Sequence, residues 1–401
     1  MEARLRLPLS KSMSARALIM AALTPGATLP SGLAVCDDTD TLRACLQAPL
    51  TGEVNAGDGG TTIRFLTAYY ASTPGADVVL DGSERLRQRP IGILVDALRK
   101  LGADITYAGR EGYAPLAIKG RRLRGGELDM DGSVSSQFVS ALIMIAPLMD
   151  EGLRIRLSGE VTSRPYITMT LRMMAARCVE GELYRDVVTV PHGEYSQSSL
   201  PIEGDWSAAA AWYEIEALAA GVVNIENLSD HSVQGDRRLA DFFSRTGVNT
   251  DFEPEEGPGI ELTANPDPDA RPEMDFTDNP DLAPYIMVTC AMLGLPFHFT
   301  GLGNLAIKEC DRLSALQAEL LKIGVGIDIS VPGTAVWDGR RVPVFELPEF
   351  DTHSDHRMAM CLAPIAVFIP GIVVRDAGVV SKSYPDFWEH LKSAGFSIET
   401  I

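Results

Sequence analysis

One recurring segment limits the possible folds of this chain more than any other feature. In each copy the end of an apolar helical pattern is followed by a glycine and then by a strand pattern; the clearest copies are 98–105, 243–249, 320–327 and 391–398. A glycine directly after a helix readily adopts the left-handed conformation that ends it. The pattern therefore predicts repeated helix–strand building blocks, the alternative being chance recurrence of a common turn.

The spacing of these glycines predicts the number of repeats. Gly102, Gly247, Gly324 and Gly395 indicate about six repeats of roughly 65–75 residues, with Gly181 near a missing midpoint. Six αβ repeats suit an α/β fold of two similar domains with three repeats each. The division between the domains is expected near residues 200–205, before an alanine-rich helix at 208–220.

Composition excludes several classes of partner. The chain has 401 residues and a formal net charge of −19, which argues against nucleic acid or an acidic membrane as a general partner. The apolar run at 17–23 is short and ends in a Pro-Gly turn, so we expect a helix of the mature fold and no membrane span. The six cysteines form no Cys-x-x-Cys pair, which indicates reduced thiols and a cytoplasmic protein.

Charged residues cluster ahead of an apolar helical pattern at 303–312. Asn304, Lys308 and Arg312 are spaced as one stripe of a helix, and Glu309 is next to it. Two cations, an amide and a carboxylate suit an anionic ligand that also exchanges a proton. The competing interpretation is an ordinary solvated helix face.

Other basic residues also stand where helices are expected to begin. In an acidic chain this distribution predicts a cleft between two domains that binds a small molecule with several negative charges. A weaker pattern of His353, His356 and Asp351 resembles metal ligands, but Arg357 beside them argues against a metal. The basic residues are Lys11, Arg16, Arg89, Lys308, Arg312, Arg357 and Lys382.

Seven motifs in order carry a resemblance to a known family. They are Ser-Lys-Ser-x-Ser-x-Arg, Gly-Gly-Thr-x-x-Arg, Arg-Pro-Ile-Gly, Ser-Ser-Gln-Phe, Asn-x-x-x-Lys-Glu-x-Asp-Arg, Asp-His-Arg-Met-Ala-Met and Ser-Lys-x-Tyr-Pro-Asp, between Lys11 and Phe387. The chain resembles the EPSP synthases, the 3-phosphoshikimate 1-carboxyvinyltransferases. The resemblance implies two domains of three βαβαββ repeats, with the active site in the interdomain cleft. It implies one domain of residues 1–9 and 204–401, and a middle domain of residues 10–203.

The resemblance also implies a reaction and a set of site residues. The enolpyruvyl group of phosphoenolpyruvate would be transferred to the 5-hydroxyl of shikimate 3-phosphate, releasing phosphate. Asp281 would take the hydroxyl proton, and Glu309 or Lys11 would handle the proton at C3. Shikimate 3-phosphate would bind Lys11, Ser12, Arg16, Ser135, Ser136, Gln137, Ser163, Tyr166, Asp281, Asn304 and Lys308. Phosphoenolpyruvate would bind Lys11, Gly60, Arg89, Gln137, Arg312, Arg357 and Lys382.

Some positions depart from the family pattern. Ala15 and Asp58 stand where the family usually has asparagine, and Arg164 replaces a more usual lysine. The stretch from Gly26 to Asp58 is short, so a hairpin of the first repeat is expected to be missing. We expect a monomer with no metal and no cofactor. The alternatives are the sister transferase that acts on UDP-N-acetylglucosamine and an inactive anion-binding homologue.

Overall fold

The computed structural model describes residues 1–133, 135–255 and 257–401. The chain divides into two compact units: the middle unit, Lys11–Ile202, and the terminal unit, made of Met1–Ser10 with Glu203–Ile401. Among the described residues, no helix has the length and apolar character that a membrane crossing requires.

The strands are short and mostly alternate between buried and exposed residues. In chain order they are β1 Glu2–Leu5, β2 Thr51–Asn55, β3 Asp77–Asp81, β4 Asp104–Tyr107, β5 Leu116–Lys119, β6 Gly126–Asp131, β7 Leu153–Ser158, β8 Glu182–Tyr184, β9 Val187–Val190, β10 Val222–Ile225, β11 Val248–Asp251, β12 Ile260–Ala264, β13 Glu273–Asp275, β14 Phe297–Thr300, β15 Ala335–Trp337, β16 Glu349–Phe350 and β17 Val373–Val374.

The α-helices lie between these strands. They are α1 Lys11–Ala22, α2 Asp37–Gln47, α3 Gly60–Ser72, α4 Glu84–Arg87, α5 Gly92–Lys100, α6 Ser136–Ile145, α7 Arg164–Ala175, α8 Trp206–Ala219, α9 Leu239–Ser244, α10 Ala283–Leu293, α11 Arg312–Leu321, α12 His356–Leu362 and α13 Phe387–Ser393. The 3-10 helices are Ala146–Leu148, Gly235–Arg238, Pro280–Leu282, Gly303–Ile307, Ala363–Val367 and Ala377–Lys382.

The middle unit contains two four-stranded sheets with the same topology. Their strand orders are β2-β3-β5-β4 and β6-β7-β9-β8, and in each the first pair is parallel and the others antiparallel. In β7 the leucines and isoleucine are buried while the two arginines and the serine between and after them are exposed, so one face of that strand forms core. Helices α1, α3, α6 and α7 pack against one another beside the sheets.

The terminal unit repeats this topology, and its first sheet includes a strand from the N-terminal residues of the chain. Its first sheet has the order β1-β10-β12-β11, and β1 pairs in parallel with β10, with Glu2 opposite Val222 and Leu5 opposite Ile225. The next sheet keeps β13-β14-β15, and a single bridge from Asp328 to Val336 stands where a fourth strand would be. The last keeps only β16-β17. A core rich in aromatic residues, including Trp206 and Phe276, joins these parts.

The α/β class and the repeated architecture are thus confirmed, but several local predictions need correction. The left-handed residue that follows α7 is Cys178, with φ +63°, whereas Gly181 is not left-handed. No strand follows Gly395 in the fully described residues 395–401. The first repeat is shortened, since the fully described residues 11–50 form α1 and α2 without a strand.

Candidate active site

The middle unit brings the N-terminal turns of several helices to one place. Arg16 in α1 donates from Nε to Thr170 Oγ1 of α7 at 2.6 Å and from Nη2 to Ser140 Oγ of α6 at 3.1 Å. All three residues lie in the second turn of their helices, so the N-terminal halves of α1, α6 and α7 meet around Arg16. Helix N-termini present free backbone N–H groups and a partial positive charge, which is a favourable setting for an anion.

Arg16 itself is almost wholly enclosed. Its side chain is among the largest fully buried ones, and Nη1 donates to the Ser12 carbonyl at 2.9 Å. Burial lowers the pKa of Arg16 to about 10, because desolvation disfavours its charge. The guanidinium lies 5.9 Å from the centre of the Tyr166 ring. Arg16 therefore ties together the helix ends around Ser12 and Tyr166.

Lys11, at the start of α1, has an acidic neighbour that sequence reasoning missed. Its Nζ lies 2.9 Å from Asp38 Oδ2 in the first turn of α2, and both side chains are largely buried. Opposite charges at this distance attract each other. An anion that approaches Lys11 would compete with Asp38 for the ammonium.

A pair of buried arginines lies at the start of α3. Arg64 Nη1 donates to Gln137 Oε1 at 2.7 Å, and Nη2 donates to the Pro90 carbonyl at 3.3 Å. A Cβ added to Gly60 would lie 2.5 Å from Arg89 Nη1, so a larger residue there would push the guanidinium groups of Arg89 and Arg64 away. Gly60, Arg89 and Gln137 are thus brought together, and Arg64 holds them. Arg64 was missed, although the spacing Gly-Gly-Thr-x-x-Arg places it one turn into the helix.

The serines predicted as ligands surround the starts of α6 and α7. Ser135 caps α6 by accepting from the Gln137 N–H at 3.3 Å, and Ser136 is buried. Ser163 precedes α7 with a left-handed backbone of φ +55°. Arg164, the replacement for lysine, pairs with Asp186.

In the terminal unit a second cluster is centred on Arg312, the first residue of α11. Arg312 donates to Asp355 through Nε at 2.6 Å and Nη2 at 3.1 Å, to Asp281 Oδ1 through Nη1 at 2.7 Å, and to Glu309 Oε2 at 2.9 Å. Its side chain is only 1% exposed. The three carboxylates raise the pKa of Arg312 further even though burial alone would lower it.

Asp281 receives more positive charge than any other carboxylate in this cluster. Lys308 Nζ lies 3.0 Å from its Oδ1, and Arg357 Nη2 lies 3.9 Å from its Oδ2. Burial would raise the pKa of Asp281, but Lys308, Arg357 and Arg312 together outweigh it and hold that pKa well below the usual range. Asp281 is therefore an ionised carboxylate surrounded by cations, with its side chain 20% exposed.

Glu309 bridges Arg312 and the next cation. Its Oε1 lies 3.8 Å from Lys382 Nζ, at the end of the 3-10 helix Ala377–Lys382. The cluster thus alternates basic and acidic side chains, and two of its carboxylates are reachable from solvent. Such an arrangement can bind anions and exchange protons with them.

The predicted helical stripe is wrong in its geometry. Asn304 lies in the 3-10 helix Gly303–Ile307, Lys308 is extended with ψ −154°, and α11 begins only at Arg312. Asp311 caps α11 by accepting from the Ser314 N–H, which fixes that start. Lys308 and Arg312 still converge, because both reach Asp281.

Asp355 is the most consequential residue that sequence reasoning missed. It is fully buried, caps α12 by accepting from the Arg357 N–H at 2.9 Å, and holds Arg312 with both oxygens. An aspartate immediately before a basic helix start is a common cap signal, and that signal was available. Of the residues that resembled metal ligands, His353 has its Nε2 3.0 Å from Glu319 Oε1. Nowhere in the described ranges do three His, Cys, Asp or Glu side chains gather as metal ligands.

The two positions where the family usually has asparagine have different surroundings. Ala15 is buried within α1. Asp58 is exposed and accepts a hydrogen bond from Ser83 Oγ. Its negative charge therefore has a local donor.

Comparison with known proteins gives a consistent result. The model of the family EPSP synthase (3-phosphoshikimate 1-carboxyvinyltransferase) matches residues 46–391. A 3-phosphoshikimate 1-carboxyvinyltransferase of Bacteroides fragilis is 45% identical over 99% of this chain and 96% of its own length. One of a Marinomonas species is 34% identical over 96% of this chain and 95% of its own length.

Solved structures show the same fold. An EPSP synthase structure from Acinetobacter baumannii aligns with a TM-score of 0.77 at 21% identity, covering 99% of this chain and 96% of the other. At that identity the likeness concerns the fold alone.

Proposed function

Because the chain belongs to the EPSP synthase family, we propose that the Arg312 cluster and the helix N-termini of the middle unit are its active-site residues. The enzyme transfers the enolpyruvyl group of phosphoenolpyruvate to the 5-hydroxyl of shikimate 3-phosphate and releases phosphate. The observation that carries the assignment is an ionised Asp281 held among Lys308, Arg312 and Arg357.

We assign Asp281 as the acceptor of the hydroxyl proton. Its depressed pKa keeps it ionised, but it also makes the free carboxylate a weak base. Anionic substrates that bind Lys308, Arg312 and Arg357 would draw these cations away from Asp281. Its pKa would then rise, so that the carboxylate becomes a better base only when the substrates are bound.

The proton added at C3 of phosphoenolpyruvate is assigned to Glu309 or Lys11. Glu309 lies between Arg312 and Lys382, and Lys11 faces Asp38. A bound anion would compete with Glu309 for Arg312 and Lys382, and with Asp38 for Lys11. Either ion pair would then separate and leave Glu309 or Lys11 able to exchange a proton. After attack at C2, collapse of the intermediate expels phosphate and removes a proton from C3, which the same group can accept.

We propose that the remaining site residues hold the two anions. Bringing multiply charged substrates together costs repulsion, and arginine and lysine side chains at fixed positions offset it. Shikimate 3-phosphate is assigned to Lys11, Ser12, Arg16, Ser135, Ser136, Gln137, Ser163, Tyr166, Asp281, Asn304 and Lys308. Phosphoenolpyruvate is assigned to Lys11, Gly60, Arg89, Gln137, Arg312, Arg357 and Lys382.

We further propose domains of residues 1–9 with 204–401 and of residues 10–203, which the division into compact units supports. The six cysteines are free thiols, which supports a cytoplasmic location. We propose that the enzyme acts as a monomer; size-exclusion chromatography with light scattering tests this.

Phosphate release from phosphoenolpyruvate tests the substrate. We expect release with shikimate 3-phosphate as acceptor and none with UDP-N-acetylglucosamine, since the family model and the relatives above carry the shikimate name. Release only with the nucleotide sugar would support the sister transferase. No release with either acceptor would support an inactive homologue.

A further inference from the structure

The turn that precedes α12 has an unusual backbone. His353 and Ser354 both have left-handed conformations, with φ of +50° and +55°. Side-chain-bearing residues adopt this region rarely, and two in succession persist only where the surroundings hold them. The Asp355 N–H donates to the Thr352 carbonyl at 2.8 Å, which closes the turn.

The side chain of Glu319 in α11 contacts this turn, residues 351–355, at two points. Its side chain is 2% exposed, and Oε2 accepts from the Asp351 N–H at 3.0 Å while Oε1 lies 3.0 Å from His353 Nε2. Lys322 Nζ also lies 2.6 Å from Oε2. Both oxygens of a buried carboxylate are therefore used, and two of their three partners belong to the turn.

The same helix holds the other end of the turn through Arg312. Arg312 and Glu319 are two helical turns apart on α11, so they lie on one side of it. Arg312 contacts Asp355, which caps α12 and fixes the position of Arg357. The turn is thus held at both ends by one helix, directly before Arg357 of the proposed site.

We propose that Glu319 and His353 are positioning residues for phosphoenolpyruvate. By holding the strained turn they fix Asp355, which in turn orients Arg312 and places Arg357. This inference rests on the proposed assignment of Arg312 and Arg357 to phosphoenolpyruvate. Neither Glu319 nor His353 needs to touch a substrate in this role.

Steady-state kinetics of His353→Ala and Glu319→Gln test the role. We expect the KM for phosphoenolpyruvate to rise about tenfold, the effect of losing roughly one charge-assisted hydrogen bond. The KM for shikimate 3-phosphate should stay within about twofold, since no assigned ligand of that substrate lies in the turn. His231→Ala, an exposed histidine of the same unit, is the matched control and should change neither.

A rescue variant separates positioning from general damage to the fold. Ser354→Gly added to His353→Ala removes the side chain from a left-handed residue, so the turn needs less holding. We expect it to recover at least half of the lost affinity for phosphoenolpyruvate. Equal rises in both KM values, no rise at all, or no recovery with glycine would overturn the inference.

Arg357→Ala separates failure of the proposed phosphoenolpyruvate site from failure of the positioning role. If it leaves the KM for phosphoenolpyruvate unchanged, the proposed assignment of Arg357 fails and the inference fails with it. If it raises that KM while His353→Ala and Glu319→Gln do not, the assignment stands and only the positioning role is wrong.

Discussion

At the scale of single residues, the buried charges of the terminal unit stabilise one another as a set. Arg312 donates hydrogen bonds to three carboxylates, and two of these bonds go to Asp355. A buried charge that loses its partner keeps the cost of its desolvation without the compensating attraction. The effect of removing one member should therefore be much larger than that of removing a surface ion pair.

Asp355→Asn tests this difference. We expect a loss of about 3 kcal/mol in the free energy of unfolding, because Arg312 would stay buried without its bidentate carboxylate. Urea denaturation measures it. The control Asp338→Asn breaks an exposed pair with Arg340 and should cost less than about 0.5 kcal/mol. Equal losses for the two variants would contradict this account of the cluster.

At the scale of elements, sequence patterns predicted the types of helices and strands better than their starting points. The alanine-rich run did form α8, and the glycines at 102, 247, 324 and 395 are left-handed. The predicted helical stripe from Asn304 to Arg312 is wrong because its spacing did not reveal that Asp311 caps α11. The helix therefore begins only at Arg312. Cys178 rather than Gly181 is the left-handed residue after α7, and local hydrogen bonds close the helix end there, from the Cys178 N–H to the Ala175 carbonyl and from the Val179 N–H to the Met174 carbonyl.

The residues that sequence reasoning missed share one property. Asp38, Arg64, Glu319 and Asp355 act on side chains far along the chain. Their own neighbours in sequence indicate a cap or a helix face and nothing more. The motifs predicted the site residues that are assigned above, whereas these long-range partners could be identified only from the structure.

Helix α8 contains two buried glutamates that give stability an unusual pH dependence. Burial raises the pKa of Glu216 to about 7 and raises that of Glu214 well above its usual range. Between about pH 4.5 and 7 the unfolded chain loses the Glu216 proton while the folded chain keeps it. This contribution to stability is therefore full at low pH and declines as pH rises through that window.

Glu216→Gln should remove that decline. The shift from 4.5 to about 7 corresponds to at most about 3 kcal/mol, so the variant should gain up to that amount relative to the parent between pH 5 and pH 8. Urea denaturation at both values measures it, with exposed Glu389→Gln as control. An unchanged difference between the two pH values would rule out this role for Glu216.

At the scale of the whole molecule, the chain leaves the terminal unit after one strand and returns to it. β1 pairs with β10, and the Ser10 N–H donates to the Glu203 carbonyl at 2.8 Å where the chain returns. The N-terminal residues Leu5 and Leu7 belong to the core of the terminal unit. That unit is therefore incomplete without the first residues of the chain.

Fragments test this topology. We expect residues 11–202 to unfold cooperatively as an isolated fragment, because the middle unit has its own sheets. Residues 203–401 should fold stably only when residues 1–10 are fused ahead of them, since β10 otherwise has an open edge. Circular dichroism during urea denaturation reports both. Equal stability of 203–401 with and without the fused segment would contradict the role of β1.

The proposed reaction depends on Asp281 as the base, and phosphate release by Asp281→Asn at saturating phosphoenolpyruvate and shikimate 3-phosphate tests this role most directly. The amide cannot accept the hydroxyl proton, while Lys308, Arg312 and Arg357 remain to bind the anions. We expect kcat to fall by about 10²- to 10⁴-fold, with both KM values unchanged or lower. Turnover equal to that of the parent enzyme would contradict the assignment of Asp281.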